Sequence, residues 1–133
     1  MSQQDRAPGN GAAAPQATAP KPELTPDRVL SLWHGVMLHA LRDAHPDLTA
    51  RQFALLLHVY KTPPPHTVRG LAAELKMSKP AVTRALDRLG GYEFVRRKRD
   101  AADKRSVLVQ RTVKGSIYLR EFADMAARLA REV

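Results

Sequence analysis

Residues 77–86 read MSKPAVTRAL, and their side chains suit one kind of chemistry. The spacing predicts a helix start, with Ser78 as N-cap and Pro80 in the first turn, where its missing N–H costs little. Lys79, Pro80, Thr83, Arg84, Asp87 and Arg88 then face outward, and no acid precedes Asp87. An ordinary solvated helix carries Asp or Glu in its first turn, against the positive end of its dipole. Here hydroxyls and cations stand there instead. Ser and Thr bond either bases or phosphates, and Arg is the usual reader of guanine. A helix N-terminus also favours phosphate, which early acids would repel. These side chains fit a helix that enters the major groove of DNA with its N-terminal residues at base edges.

Such a helix needs a platform. A short helix is predicted just before it, from Val68 or Arg69 to Leu75, joined through Lys76 and Met77. Leu71, Ala72, Leu75, Met77, Val82 and Ala85 are small or apolar at the positions that pack the two helices together. Ala72 falls where the backbones come closest. Gly90 and Gly91 end the second helix. Residues 94–98 and 107–111 are extended, with β-branched side chains, and a charged loop longer than a tight turn joins them as a hairpin. Two helices and a charged hairpin make a winged helix-turn-helix. The expected fold is mainly α with a small β-hairpin wing. Residues 96–99 could be a solvated charge run. Beside a recognition helix, DNA contact by Arg97, Lys98 and Arg99 is favoured, with Arg69 added from the preceding helix. Lys76 stands where such turns most often carry glycine, and a positive φ would strain it. Either the turn differs or Lys76 serves as a phosphate contact.

The charge distribution agrees. The formal net charge is +9, and residues 69–114 hold 13 Lys/Arg against 5 Asp/Glu. Nearly all the excess is therefore local, which points to a polyanion, most often nucleic acid; a basic face kept for solubility is the plainer alternative. The absence of cysteine excludes disulfides and thiol redox switching. No apolar run approaches the roughly 20 residues that span a bilayer, and the first residues lack the apolar core of a signal peptide. The expectation is a soluble, cytoplasmic, nucleoid-associated protein without a membrane partner.

The 133 residues suffice for one core. Residues 1–24, rich in Ala, Pro, Gly and Gln, read as a disordered tail, passive or a partner-binding arm. The folded domain is expected over 25–133, with a DNA-binding core at 67–111. A first helix should begin at Thr25 and Pro26 and end before Pro46. Its apolar residues, Trp33 among them, cover more than one face, so burial on two sides is expected, the second possibly against another subunit. Trp33 could also line a ligand pocket or sit in the core. Thr49–Gln52 fits a capping box that opens a second helix, ended by Pro63, Pro64 and Pro65. A last helix should start after Thr112. Tyr118, Phe122, Met125 and Leu129 recur along it at intervals of four, three and four. That seam could be core, but with little chain left to cover it, a subunit contact is favoured. Segments 25–45 and 113–133 are thus the expected dimerisation helices.

Residues 48–89 (LTARQFALLLHVYKTPPPHTVRGLAAELKMSKPAVTRALDRL) followed by residues 94–115 (FVRRKRDAADKRSVLVQRTVKG) resemble the MarR family of bacterial transcription regulators. The resemblance runs from about Leu24 to the C-terminus. Its sharpest part is the wing, where Asp103, Arg105, Thr112 and Gly115 match the family's Asp-x-Arg and Thr-x-x-Gly pattern. It implies a homodimer on a pseudo-palindromic operator of double-stranded DNA, usually repressing transcription. By match, Ser78, Thr83 and Arg84 belong to the major-groove reader. Lys104 and Arg105 belong to the wing, which reaches the minor groove. Asp103 would hold the wing by pairing with an Arg and capping the loop.

Three departures stand out. Arg111 replaces the usual Leu before Thr112, losing an apolar anchor or adding a phosphate contact. Glu93 stands where a Gly usually precedes the apolar pair. The chain ends after one C-terminal helix where the family usually has two. The family's dimer interface must then be smaller or differently arranged, and the pocket for a small-molecule effector that the resemblance implies lies beside it. No pair among His34, His39, His45, His58 and His66 has convincing metal spacing, so neither metal nor cofactor is expected. No nucleophile–base set or phosphate loop suggests an enzyme. The competing class is a winged-helix adaptor that binds protein in a transcription or cell-cycle complex, with little affinity for DNA.

Overall fold

A hydroxyl starts every helix of the computed structural model, which describes residues 23–43 and 46–133. Thr25, Thr49, Thr67, Ser78 and Thr112 each accept the backbone N–H three residues on. Each such cap stabilises its helix by about 1 kcal/mol. Thr49 and Gln52 complete the expected capping box. The helices are α1 (Pro26–Arg42), α2 (Ala50–Lys61), α3 (Val68–Leu75), α4 (Lys79–Gly91) and α5 (Val113–Glu132). Strands β1 (His66–Thr67), β2 (Val95–Arg99) and β3 (Val107–Arg111) form an antiparallel sheet in the order β1-β3-β2. The fold is a winged helix, as expected. The expected tail lies almost wholly outside the described residues, as does His45.

The core forms where α2, α3, α4 and the sheet meet. Leu55, Leu56, Val59, Leu71, Val82, Leu86 and Leu89 have almost no solvent exposure, and Phe94, Val95 and Val109 close the sheet side. Two details differ from expectation. Helix α4 runs through Gly90 and Gly91 before Tyr92 caps it, since neither glycine takes a positive φ. Strand β1 was not expected. Three prolines precede it, and two residues are too few to alternate visibly. It pairs only with β3, His66 opposite Val109 and Thr67 opposite Leu108.

The residues of the expected α5 seam make contacts within the chain. Tyr118 stacks on Phe94 at 4.3 Å between ring centres, and Phe122 meets Phe53 of α2 at 4.8 Å. Met125 is only 6% exposed, and Leu129 lies against Gly35 of α1. Tyr118 and Phe122 thus meet the sheet side and α2, while α1 packs along the later part of α5 at Leu129. The guanidinium of Arg28 ties the pair further, donating to the Val133 carbonyl at 2.6 Å. Burial lifts the Tyr118 phenol above its ordinary value, and the nearby Tyr92 adds to the rise.

Helix α1 shows the converse. Among its residues only Val36 is fully buried. Leu30, Trp33, Met37 and Leu41 are exposed, Trp33 by 58%. Their intervals of three, four and four place them on one stripe. Trp33 is therefore not core.

The sheet, α2 and α5 meet at one hydroxyl. Tyr60 Oη donates to the Phe94 carbonyl at 2.7 Å and accepts the Thr112 N–H at 2.9 Å. Thr112 Oγ1 donates to the Glu93 carbonyl at 2.7 Å and accepts the Gly115 N–H. Glu93 has φ 63°, the left-handed conformation that explains the glycine usual at that place, and its carboxylate pairs with Lys114 at 3.0 Å. A Cβ on Gly115 would lie 2.0 Å from Tyr60 Oη and 2.3 Å from the Phe94 carbonyl oxygen. At Gly90 a Cβ would meet nothing within 4 Å. Gly115→Ala is expected to destabilise by about 1–3 kcal/mol through overpacking. Gly90→Ala should stabilise by about 0.5–1 kcal/mol through helix propensity. Urea denaturation of the two variants checks these opposite signs.

Candidate nucleic-acid interface

The turn between α3 and α4 sets the angle at which α4 is presented. Lys76 adopts the left-handed conformation, φ 52° and ψ 45°. Its N–H returns to the last turn of α3, and the Met77 N–H bonds the Ala72 carbonyl at 3.0 Å. This is the closure glycine normally makes at a helix end. The turn keeps the usual shape despite the lysine, which removes the first of the two alternatives raised by the sequence. Ala72 is buried at the junction, as its small size requires.

Helix α4 then presents two unlike faces. Val82, Ala85, Leu86 and Leu89 are buried. Ser78, Lys79, Pro80, Thr83, Arg84, Asp87 and Arg88 are all exposed. No acid occupies the first turn, and the Ser78 hydroxyl is engaged as the cap at 3.2 Å from Ala81 N. The Arg88 guanidinium sits 5.3 Å from the Tyr92 ring centre, a cation–π position that steadies it at the end of the helix.

The wing stands beside this helix. Register pairs Arg97 with Val109 and Lys98 with Leu108. Alternation along β2 puts Val95, Arg97 and Arg99 on one face and Arg96 and Lys98 on the other. Arg97 uses its position to pair with Asp87 of α4 at 2.6 Å. Such a half-exposed pair contributes at most about 1 kcal/mol, so its use is geometric: it links wing to recognition helix. Arg97 is therefore engaged by a carboxylate, whereas Lys98, Arg99, Lys104 and Arg105 are exposed along the wing. Asp103 accepts the Arg105 backbone N–H at 3.0 Å and the Ser106 hydroxyl at 3.4 Å, and its carbonyl accepts the Ser106 N–H. It caps the loop as expected, through the backbone of Arg105 and not through an ion pair. Between wing and α4 lies a cleft of about 240 Å³ lined by Arg69, Lys79, Thr83, Arg97 and Arg105. The structure thus brings five of the singled-out residues around one groove.

Arg111 belongs elsewhere. Its guanidinium donates to the Val59 carbonyl at 2.8 Å and the Thr62 carbonyl at 2.7 Å, and it lies over the Tyr60 ring. It binds carbonyls at the end of α2, so neither an apolar loss nor a phosphate contact describes it. His58 pairs with Glu74 between α2 and α3, and His66 is buried with its Nε2 3.2 Å from the Thr62 carbonyl. Among the described residues, no group of three metal-ligating side chains is assembled. Sequence reasoning missed Arg51. It lines a second cavity of about 300 Å³ with Lys76 and Ser78, on the side of α4 away from the wing. Only the packing of α2 against α4 reveals it, since 25 residues separate Arg51 from Lys76.

This geometry defines a winged helix-turn-helix protein. Residues 48–107 match the model of the MarR family. The chain is similar in fold to the transcriptional regulator Tm0710 from Thermotoga maritima, with a TM-score of 0.65 and 23% identity over 80% of this chain and 72% of that one. It is similar to the transcriptional repressor CouR bound to a 23-mer DNA duplex, with a TM-score of 0.62 and 24% identity over 80% and 72% of the two chains. It also resembles MepR of S. aureus in its DNA complex, with a TM-score of 0.61 and 19% identity over 77% and 79%. Among curated proteins nothing matches the chain. No helix among the described residues is long and apolar enough to cross a membrane.

Arg111→Met should lower stability by about 1–2 kcal/mol, because two carbonyls lose a charged donor. Thermal unfolding monitored by circular dichroism measures the loss.

Proposed function

We propose that the protein is a sequence-specific DNA-binding transcription regulator, acting as a homodimeric repressor on a pseudo-palindromic operator. The observation that carries this is the exposed face of α4, free of acids in its first turn and bordered by basic clefts. In this reading Ser78, Lys79, Pro80, Thr83 and Arg84 approach base edges in the major groove. Arg69, Arg88 and the wing residues Lys98, Arg99, Lys104 and Arg105 meet phosphate or the minor groove, where a narrow groove attracts Arg. Arg97 joins them by leaving or sharing Asp87. The MarR-family match and the DNA-bound relatives support the assignment. The reading is a binding protein of the cytoplasm and nucleoid, not an enzyme.

The homodimer is assigned to α1. Its exposed stripe of Leu30, Trp33, Met37 and Leu41 is apolar and continuous. The exposed Val113 and Ile117 of α5 add to the apolar surface. Two copies joined so that their α4 helices lie roughly 34–36 Å apart would meet successive major grooves.

Two experiments test this reading. Arg84→Ala should lose about 1–3 kcal/mol on a selected duplex and far less on random DNA, read by fluorescence anisotropy. Equal weakening on both would reduce Arg84 to a phosphate contact, and no salt-sensitive binding by the unaltered chain would favour the adaptor class. Light scattering should give a dimer for the unaltered chain and a monomer for Leu30→Lys with Trp33→Glu. A monomer in both cases would remove the palindrome.

A further inference from the structure

The recognition helix has a cleft on each flank, and only one adjoins the wing. Lys79 and Thr83 line the wing-side cleft. Ser78 and Ala81 line the opposite cavity, with Arg51 of α2 and Lys76 of the turn. At about 100° per residue, the second pair stands about 150° around the helix axis from the first. The two clefts therefore border the exposed face from opposite sides. A helix seated in a major groove has a sugar-phosphate backbone on each side. The wing side offers cations to one of them. The far side offers Arg51 and Lys76.

Both cations are exposed, and no acid lines their cavity. Among the described residues no ion pair holds either, in contrast to Arg97, which Asp87 holds. Arg51 stands in the first turn of α2, fixed by the Thr49 and Gln52 capping box. Lys76 stands in the turn itself, at a backbone conformation that suits glycine better. The two cations thus come from separate elements and converge on one cavity beside the first residue of the reading edge.

We propose that Arg51 and Lys76 form a phosphate seat on the far flank of α4, holding one backbone phosphate of the strand opposite the wing. The proposal rests on the DNA-binding reading and extends the footprint from α4 and the wing to α2. The seat reads no bases. It fixes how far α4 is rolled in the groove, because the helix is then held on both sides.

The test uses the full chain, a duplex selected from a random pool, an unselected duplex of equal length, and a salt series. Arg51→Gln and Lys76→Gly should each weaken both duplexes by the same factor, roughly three- to tenfold, and lower the salt slope by about 1. Lys76→Gly should melt no lower than the unaltered chain, because glycine adopts the left-handed turn without a Cβ clash. Lys76→Arg should retain affinity. Unchanged affinity and slope in both neutral variants, while the unaltered chain binds, would overturn the seat alone. A loss that tracks a lowered melting temperature, or one confined to the selected duplex, would overturn it as well. If the unaltered chain binds no duplex at low salt, the DNA-binding reading fails and the seat falls with it.

Discussion

Four buried side chains fix the rotation of α4 about its own axis. Val82, Ala85, Leu86 and Leu89 sit against Leu55, Leu56 and Val59 of α2 and Leu71 of α3. Burying each Leu or Val fully contributes about 1.5–3 kcal/mol. Rotation by a single residue, about 100°, would bring several of them to the surface. It would also press a charged side chain toward the core, where an unpaired charge is far more costly. No surface contact on α4 approaches that penalty. The outward edge of the helix is therefore chosen by the core behind it.

The wing is fixed in a similar indirect way. Its strands are anchored at their base by Tyr60 and Arg111, both of which act through backbone atoms at the end of α2 and the edge of the sheet. The left-handed turn at Glu93 and the close approach at Gly115 let α5 start directly from the same point. The tip is free of this anchoring and relies on local turns at Asp100 and Asp103. Aspartate suits both places because its short carboxylate reaches backbone N–H groups two residues on. The base of the wing is thus stiff and its tip is held only by itself, next to the exposed cations.

Much of this was legible in the sequence because the signals were local. Thr49 with Gln52, Ser78 with Pro80, and Thr112 announce helix starts by residue type alone. The buried and exposed sides of α4 follow from spacing. Lys76 and Glu93 were recognisable as glycine positions, and both take positive φ. What failed was what depends on the third dimension. The α5 seam reads identically whether its own chain or another subunit meets it, and its contacts with Phe53, Phe94 and Gly35 come from distant parts of the sequence. Arg111 gave no hint that the carbonyls of Val59 and Thr62, at the end of α2, lie within its reach. Strand β1 is two residues long, so its identity comes from its partner β3. Arg51 lies in an ordinary helix start and gains meaning only beside Lys76.

The five helix caps have one further consequence. Each is a Thr or Ser hydroxyl, and none is an Asp. A carboxylate cap weakens once it is protonated, near an ordinary value of about 4. A hydroxyl does not titrate in that range. The five N-cap hydrogen bonds are thus indifferent to acid, and Asp27 is the one carboxylate in a first turn among the described helices.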